Sequence, residues 1–329
     1  MCQYPTDNNC TGTYFIDEEP IFTIDGDKTV VTASALAGDG EKYFVDLPEH
    51  NRQLLLTRKN RQHKDILEVQ EVNYLISSLI ENTNIISLPN VLSTTTPIYN
   101  GNLLRLSVHS PITLDAYDFS GNHTGKICPP NTDLCYLEEN ILNSSYLEFG
   151  EGKYINLPEE EFSRVSLVGT GVGSFTFESE KVLADGTSTT STFVDIPVTT
   201  QTQAEVTLNL DRTPQLKLDV TGDGVTDFTL APSSTFDPVT YLQIMKATVD
   251  SLDLTQSKKK AFGNRINNTI KLIQKGKIDK AKLSASKFKE VLEKVISKPD
   301  PKHPKPKKLS KTDAQMLLDM LNQLLDNIS

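Results

Sequence analysis

The chain is expected to be a multidomain α+β protein, and three changes of hydrophobic period along its 329 residues point to this class. Apolar residues recur at helical spacing from Ile66 to Ile80. Short alternating segments follow between Asn102 and Leu230, and a helical period returns after Asp237. These divide the chain into the end of an α/β domain (1–82), a linker (83–101), an antiparallel β-sandwich (102–232) and a small helical bundle (236–329).

In the first part, Glu19 to Ile24 reads as a strand, and Tyr43 to Leu47 as a second one leading into a loop with His50. Ile66, Leu67, Val72, Leu75, Ile76, Leu79 and Ile80 mark an amphipathic helix. Ile85 to Pro97, rich in Ser, Thr, Pro and Asn, reads as linker. Leu104, Leu106 and Val108 then alternate with polar residues, and Ile112, Leu114 and Ala116 resume the alternation after Ser110-Pro111, as at a bulge or sheet switch. Tyr146–Phe149 and Tyr154–Leu157 flank the Gly150–Lys153 turn of a hairpin. Ser163–Leu167, Gly173–Phe177, Thr192–Ile196, Ala204–Leu210 and Gln215–Val220 supply further strands, which together suit a sandwich.

Asp237-Pro238 places an N-cap before a proline at the first helical position. Leu242, Met245, Val249 and Leu252 share one face of that helix. Phe262, Ile266, Ile270 and Ile273 form the next helix, which Gly276 ends. Asp279 is expected to cap a third, with Leu283, Phe288, Val291, Leu292 and Val295 on its apolar face. A last helix runs from about Ser310, with Leu317, Leu321, Leu324, Leu325 and Ile328 inward.

The net charge of −10 hides an asymmetry: residues 257–311 hold 18 Lys and Arg against four acids, leaving the remainder strongly acidic. The lysines lie around amphipathic helices without interleaved aromatics, so a solvated helix face is expected and nucleic acid is not. No run of eighteen apolar residues occurs, so no transmembrane helix is expected. Cys2 with Cys10 and Cys128 with Cys135 bracket polar loops, which suits two local disulfides. Zinc is disfavoured, because neither pair has close spacing or a neighbouring His. No signal peptide is visible at the N-terminus.

Two constellations carry chemistry. Asp27, after a strand, and His50, in a later loop, suit the carboxylate and imidazole of a Ser-His-Asp triad, in which the acid orients the base and the base activates the nucleophile. A G-x-S-x-G elbow is absent from the chain, so the nucleophile is missing. The second is Asp219-Val220-Thr221-Gly222-Asp223-Gly224-Val225-Thr226-Asp227. Asp219, Thr221, Asp223, Asp227 and the Val225 carbonyl match the oxygen ligands of an EF-hand-type Ca2+ loop, although Leu230 stands where the bidentate Glu belongs. An Asp-Gly turn between two strands is the alternative reading, and a Ca2+ site there would be weak. His63, His109, His123 and His303 read as solvated or locally bonded residues, His123 in a turn. Gly169-Thr170-Gly171-Val172-Gly173 leads into a strand and so does not cradle phosphate.

Gly26-Asp27-Lys28-Thr29-Val30 resembles the Gly-Asp-x-Thr-Val motif that carries the acid in lecithin:cholesterol acyltransferase-like lipases. That resemblance covers about the first 80 residues and implies a truncated α/β-hydrolase C-terminal remnant, with Asp27 as the acid, His50 as the base and the Ser in a part that precedes the chain. Ser110–Asp118 with Gly121–Gly125 resembles an Ig-like β-module behind the catalytic domain of large secreted bacterial lipase-like proteins. Val249–Leu254 with the helices to Ile328 resembles the FIMAH helical module. Together the resemblances imply a secreted or cell-surface location. The function expected is a non-catalytic C-terminal portion of a lipase-like protein, acting as an interaction or surface-association module on a protein, cell-surface or lipid partner. The alternatives are a lipid-ester hydrolase completed by the missing nucleophile and a calcium-dependent adhesin-like binding module.

Overall fold

A computed structural model describes residues 42–53, 61, 63–83, 92–94, 101–109, 111–129, 132, 134–207, 213–298 and 308–328. The expected strand Glu19–Ile24, Asp27, Cys2, Cys10 and His303 lie outside these residues. Among the described residues the chain is a mixture of helix and sheet, with six α-helices and three antiparallel sheets.

Two of the sheets face each other across one core. The five-stranded sheet runs in the order β11 (Ser188–Val198), β10 (Gly173–Val182), β3 (Leu103–His109), β8 (Gly152–Pro158), β7 (Ser145–Phe149). The seven-stranded sheet runs β14 (Phe228–Leu230), β13 (Gln215–Asp219), β12 (Gln203–Thr207), β9 (Arg164–Val168), β4 (Asp115–Tyr117), β5 (His123–Ile127), β6 (Tyr136–Glu139). Alternate residues point inward because side chains on a strand alternate sides. Leu104, Leu106 and Val108 thus meet Val165, Leu167, Val206 and Leu218 of the opposite sheet, with Phe175, Phe177 and Phe193 filling the centre. Leaving β3, the chain crosses between sheets, and Ile112, Leu114 and Ala116 continue the buried alternation on the other side. The β7–β8 turn is tighter than the sequence indicates: Phe149 pairs with Gly152, leaving only Gly150 and Glu151 between the strands. Gly169, between β9 and β10, admits no larger residue without a backbone shift, since a Cβ there would lie 1.9 Å from the Thr199 carbonyl oxygen.

The N-terminal described segment has its own small core of Leu47, Val69, Val72, Leu75 and Leu92. It holds β1 (Phe44–Val45), α1 (Leu47–Gln53), α2 (Gln70–Ile80) and β2 (Leu92–Ser93). β2 pairs antiparallel with β1, so part of the stretch read as linker is structured; Leu92 has an apolar core to enter. His50 also differs from the loop placement. The Asp46 carboxylate accepts from Glu49 N at 2.9 Å, starting α1 over Pro48 and carrying His50 on the helix. Only Val72, Leu75 and Ser78 of α2 are buried; Ile76, Leu79 and Ile80 are exposed among the described residues.

Four helices follow: α3 (Pro238–Ser251), α4 (Gln256–Gln274), α5 (Ile278–Ile296) and α6 (Lys311–Asn327). Asp237 caps α3 through Val239 N at 2.9 Å, and Ser310 caps α6 through Asp313 N at 2.9 Å. At α5 the expected cap is displaced: Lys277 holds the N-cap position without a side-chain bond, and Asp279 sits in the first turn. Leu283 does not join the apolar face. Ala281 and Ala285 occupy the buried positions beside it, small enough for close helix approach, and leave Leu283 56% exposed. The helical core of Leu242, Met245, Phe262, Phe288, Leu317 and Leu321 meets the sheet core at α3, where Ile244 belongs to the latter. Tyr241, on the same helix, directs its hydroxyl at the Met320 carbonyl and Gln323 Oε1, each at 3.1 Å, and Gln323 bonds Ser174 on β10.

Candidate functional site

His50 is buried between α1 and α2. Its Nδ1 lies 3.4 Å from Glu71 Oε2, an electrostatic approach longer than an ordinary hydrogen bond. Its Nε2 has no hydrogen-bond partner among the described residues. Asn51 fixes the helix beside it: its Oδ1 accepts from Arg61 N at 2.7 Å, and its Nδ2 donates to the Arg61 carbonyl and Asn143 Oδ1, both at 3.2 Å. Glu71 Oε2 is likewise buried without a hydrogen-bond partner among the described residues, so the pair is an imidazole beside a carboxylate with no hydrogen bond joining them. Glu71 is the carboxylate that lies beside Nδ1, and Asp27, the expected acid, lies outside the described residues. In the sequence Glu71 carries no signal of its own, lying next to Val72 at the start of the apolar stripe of α2.

Asp219 ends β13, and Thr221, Asp223, Val225 and Asp227 follow it on the loop to β14. The carboxylates of Asp219, Asp223 and Asp227 accept from the loop's own backbone. Asp219 Oδ1 accepts from Thr221 N at 3.0 Å and Gly222 N at 2.7 Å, and its Oδ2 accepts from Gly224 N at 2.7 Å. Asp227 Oδ2 takes Val220 N at 2.8 Å, and Asp223 Oδ1 takes Val225 N at 2.8 Å. Burial pushes the Asp219 carboxyl up, but the N–H groups of Gly224, Gly222 and Thr221 and the Thr221 hydroxyl outweigh it and hold it below the ordinary value. Among the described residues, no group of three or more His, Cys, Asp or Glu side chains is arranged to hold a metal ion. Leu230, the twelfth residue of the loop, lies in β14.

A third constellation was not foreseen. His123 is buried at the start of β5 rather than solvated in a turn. The turn ends one residue earlier, where Asp118 Oδ1 accepts from Ser120 N at 2.8 Å and Asn122 N at 2.7 Å. His123 Nε2 lies 2.9 Å from Asp115 Oδ1 on β4, and Nδ1 lies 3.0 Å from Glu138 Oε2 on β6. Gly125 makes room for this contact: a Cβ there would stand 2.4 Å from Asp115 Oδ1 and 2.7 Å from His123 Nε2. Beside the imidazole, 5.0 Å between centroids, lies Tyr117, with the Arg164 guanidinium 4.0 Å over its ring. Burial pushes the His123 ring toward neutrality, but the hydrogen bonds to Asp115 and Glu138 outweigh it and raise its pKa above 6.5. Bonded at both nitrogens, the ring clamps three strands on the outer face of the seven-stranded sheet. The signal for it was the shared face of Asp115, Tyr117, His123 and Glu138, visible only once the strand register is known.

Cys128 and Cys135 are joined by a disulfide that closes the β5–β6 connection. No helix among the described residues is long and apolar enough to cross a membrane. Comparison of the chain with protein-family models, curated proteins and solved structures returned no match.

Proposed function

We propose that the chain is the non-catalytic C-terminal portion of a secreted lipase-like protein, working as an interaction and surface-association module. The observation that carries this reading is the side of the two-sheet unit where the two edge strands meet, bridged by Tyr146 N to Glu139 and by Lys126 to Glu148. There β6 ends one sheet and β7 ends the other, and Tyr136, Leu137, Leu147 and Phe149 are exposed along both strands. Apolar side chains grouped on sheet edges favour contact with a partner, since edge backbone groups are also available for pairing. The neighbouring disulfide suits an oxidising compartment. Purified chain is expected to hydrolyse p-nitrophenyl esters no faster than the buffer, with wild type and His50→Ala indistinguishable. Ester hydrolysis by the wild type that disappears on His50→Ala would overturn the reading.

A lipid-ester hydrolase completed by residues upstream is the second reading. It is favoured by the His50–Glu71 pair, because a buried imidazole beside a carboxylate is what a triad needs. An in-frame upstream coding sequence for a G-x-S-x-G elbow supports descent from such an enzyme; a clean start signal without it removes this reading.

A further inference from the structure

The inference rests on the surface-association reading and names the surface. α4 and α5 form a hairpin that packs on α3 and α6. α4 carries Lys258, Lys259, Lys260, Arg265 and Lys271 and not one acid in its 19 residues. The first turn of a helix is the positive end of its dipole, where lysine is unfavourable. Two lysines, Lys258 and Lys259, stand there in α4 with Lys260 just after, and α5 has Lys277 at its N-cap and Lys280 in its first turn, offset only by Asp279. This arrangement works against local helix stability, and such conflicts concentrate where function demands them.

The cations also form a surface. Lys260, Lys271 and Lys275 lie exposed on or just after α4, and Lys280, Lys287 and Lys294 lie exposed along α5. None of these six forms an ion pair with another described residue. Leu283, 56% exposed, sits in the α5 stripe, three residues after Lys280 and four before Lys287. A helix of this length spans about 28 Å, so the two stripes make a broad face in which cations outnumber acids: Glu290 lies in the α5 stripe between Lys287 and Lys294, with Glu293 exposed beside it, and Leu283 is the apolar residue in it. Three acids, Asp279, Glu290 and Glu293, are exposed on α5, against no acid on α4; a further acidic run, Glu159, Glu160 and Glu161, follows β8 at the Val182 end of β10, where Glu159 pairs with Lys181, whereas α6 touches β10 at its other end, through Ser174.

We propose that the exposed face of the α4–α5 hairpin docks on an anionic lipid bilayer, with its lysines among the headgroups and Leu283 in the interfacial layer. Lysine near such a surface is attracted without needing a fixed partner geometry, and an exposed leucine gains by leaving water there. Nucleic acid fits less well, because the stripes offer no aromatic ring for base stacking and give Leu283 no role.

The test is co-sedimentation of the full chain with phosphatidylcholine vesicles, with and without phosphatidylglycerol. Binding is expected to anionic vesicles only, and to weaken as salt rises. The charge-reversed variant Lys260→Glu/Lys271→Glu/Lys280→Glu/Lys287→Glu should lose at least about tenfold in affinity, and Leu283→Gln about fivefold. Circular dichroism melting curves matching the wild type establish that both variants fold. Equal binding to neutral vesicles, or wild-type binding by the charge-reversed variant, overturns the proposal. So does single-stranded RNA binding through the same lysines with no vesicle binding, or salt-sensitive self-association in its place. No vesicle binding with an inactive wild type in the ester assay removes the lipid surface alone and leaves the interaction module standing. Esterase activity lost on His50→Ala removes that module reading by itself.

Discussion

Replacing His123 with alanine is expected to cost about 2–3 kcal/mol of unfolding free energy at pH 6, read as a lower urea midpoint. The side chain is buried and bonded at both nitrogens, so truncation leaves Asp115 and Glu138 facing one another without the cation between them. Their partial exposure lets water screen part of the loss, which keeps the figure below that of a fully buried ion pair. The pH dependence has a definite sign. A folded pKa raised above 6.5 gives a contribution that is fully present below 6.5 and disappears as pH rises through the folded value. The gap between wild type and His123→Ala should therefore close on the alkaline side. Gly125→Ala provides an independent check, because its methyl would occupy the space of the Asp115–His123 contact and reproduce much of the loss.

Tyr241→Ala is expected to have the larger effect, about 3–5 kcal/mol, the range for truncating a buried aromatic side chain. Its ring lies in the helical core against Phe236, 5.3 Å between centroids, and its hydroxyl reaches α6. Tyr241→Phe keeps the packing and removes only the hydroxyl, so about 1 kcal/mol should be lost. Urea titration followed by circular dichroism separates the two outcomes. A cost for Tyr241→Ala no greater than that for Tyr241→Phe would show that the ring does not hold the helices together.

Much of the fold was legible because burial writes itself into the period of the sequence. Leu104, Leu106 and Val108, then Ile112, Leu114 and Ala116, each alternate because one face meets the opposite sheet. Asp237 announced its helix through cap chemistry that needs only local bonds, and Ser310, expected only as the approximate start of the last helix, caps it in the same way. The misreadings share a cause as well. Pro48 looked like a loop residue, yet proline fits the first turn of a helix once Asp46 caps it. Leu283 was assigned inward on spacing alone, while two alanines set the close approach of α5. His123 sits immediately after a turn rich in Asp, Gly and Asn, and its partners come from two other strands, one of them 15 residues away in sequence. Register, not residue type, creates that cluster. Of the expected triad pair, His50 is placed beside a carboxylate the sequence reading did not weigh, and the Ca2+-type loop uses its oxygens to close a turn.

The interaction reading requires the sheets and the helices to act as one body, so that the exposed sheet edges and the lysine face keep a fixed relation. Ile244 in the sheet core and the Gln323–Ser174 bond are the basis for this. Native-state hydrogen exchange on the purified chain tests it most directly, by comparing the amides of Phe177 in β10 and Leu321 in α6 across urea concentrations. The account predicts that both exchange through the same global opening, with equal free energies and equal urea dependence. Exchange of Leu321 through a separate opening, lower in free energy while Phe177 stays protected, would contradict it.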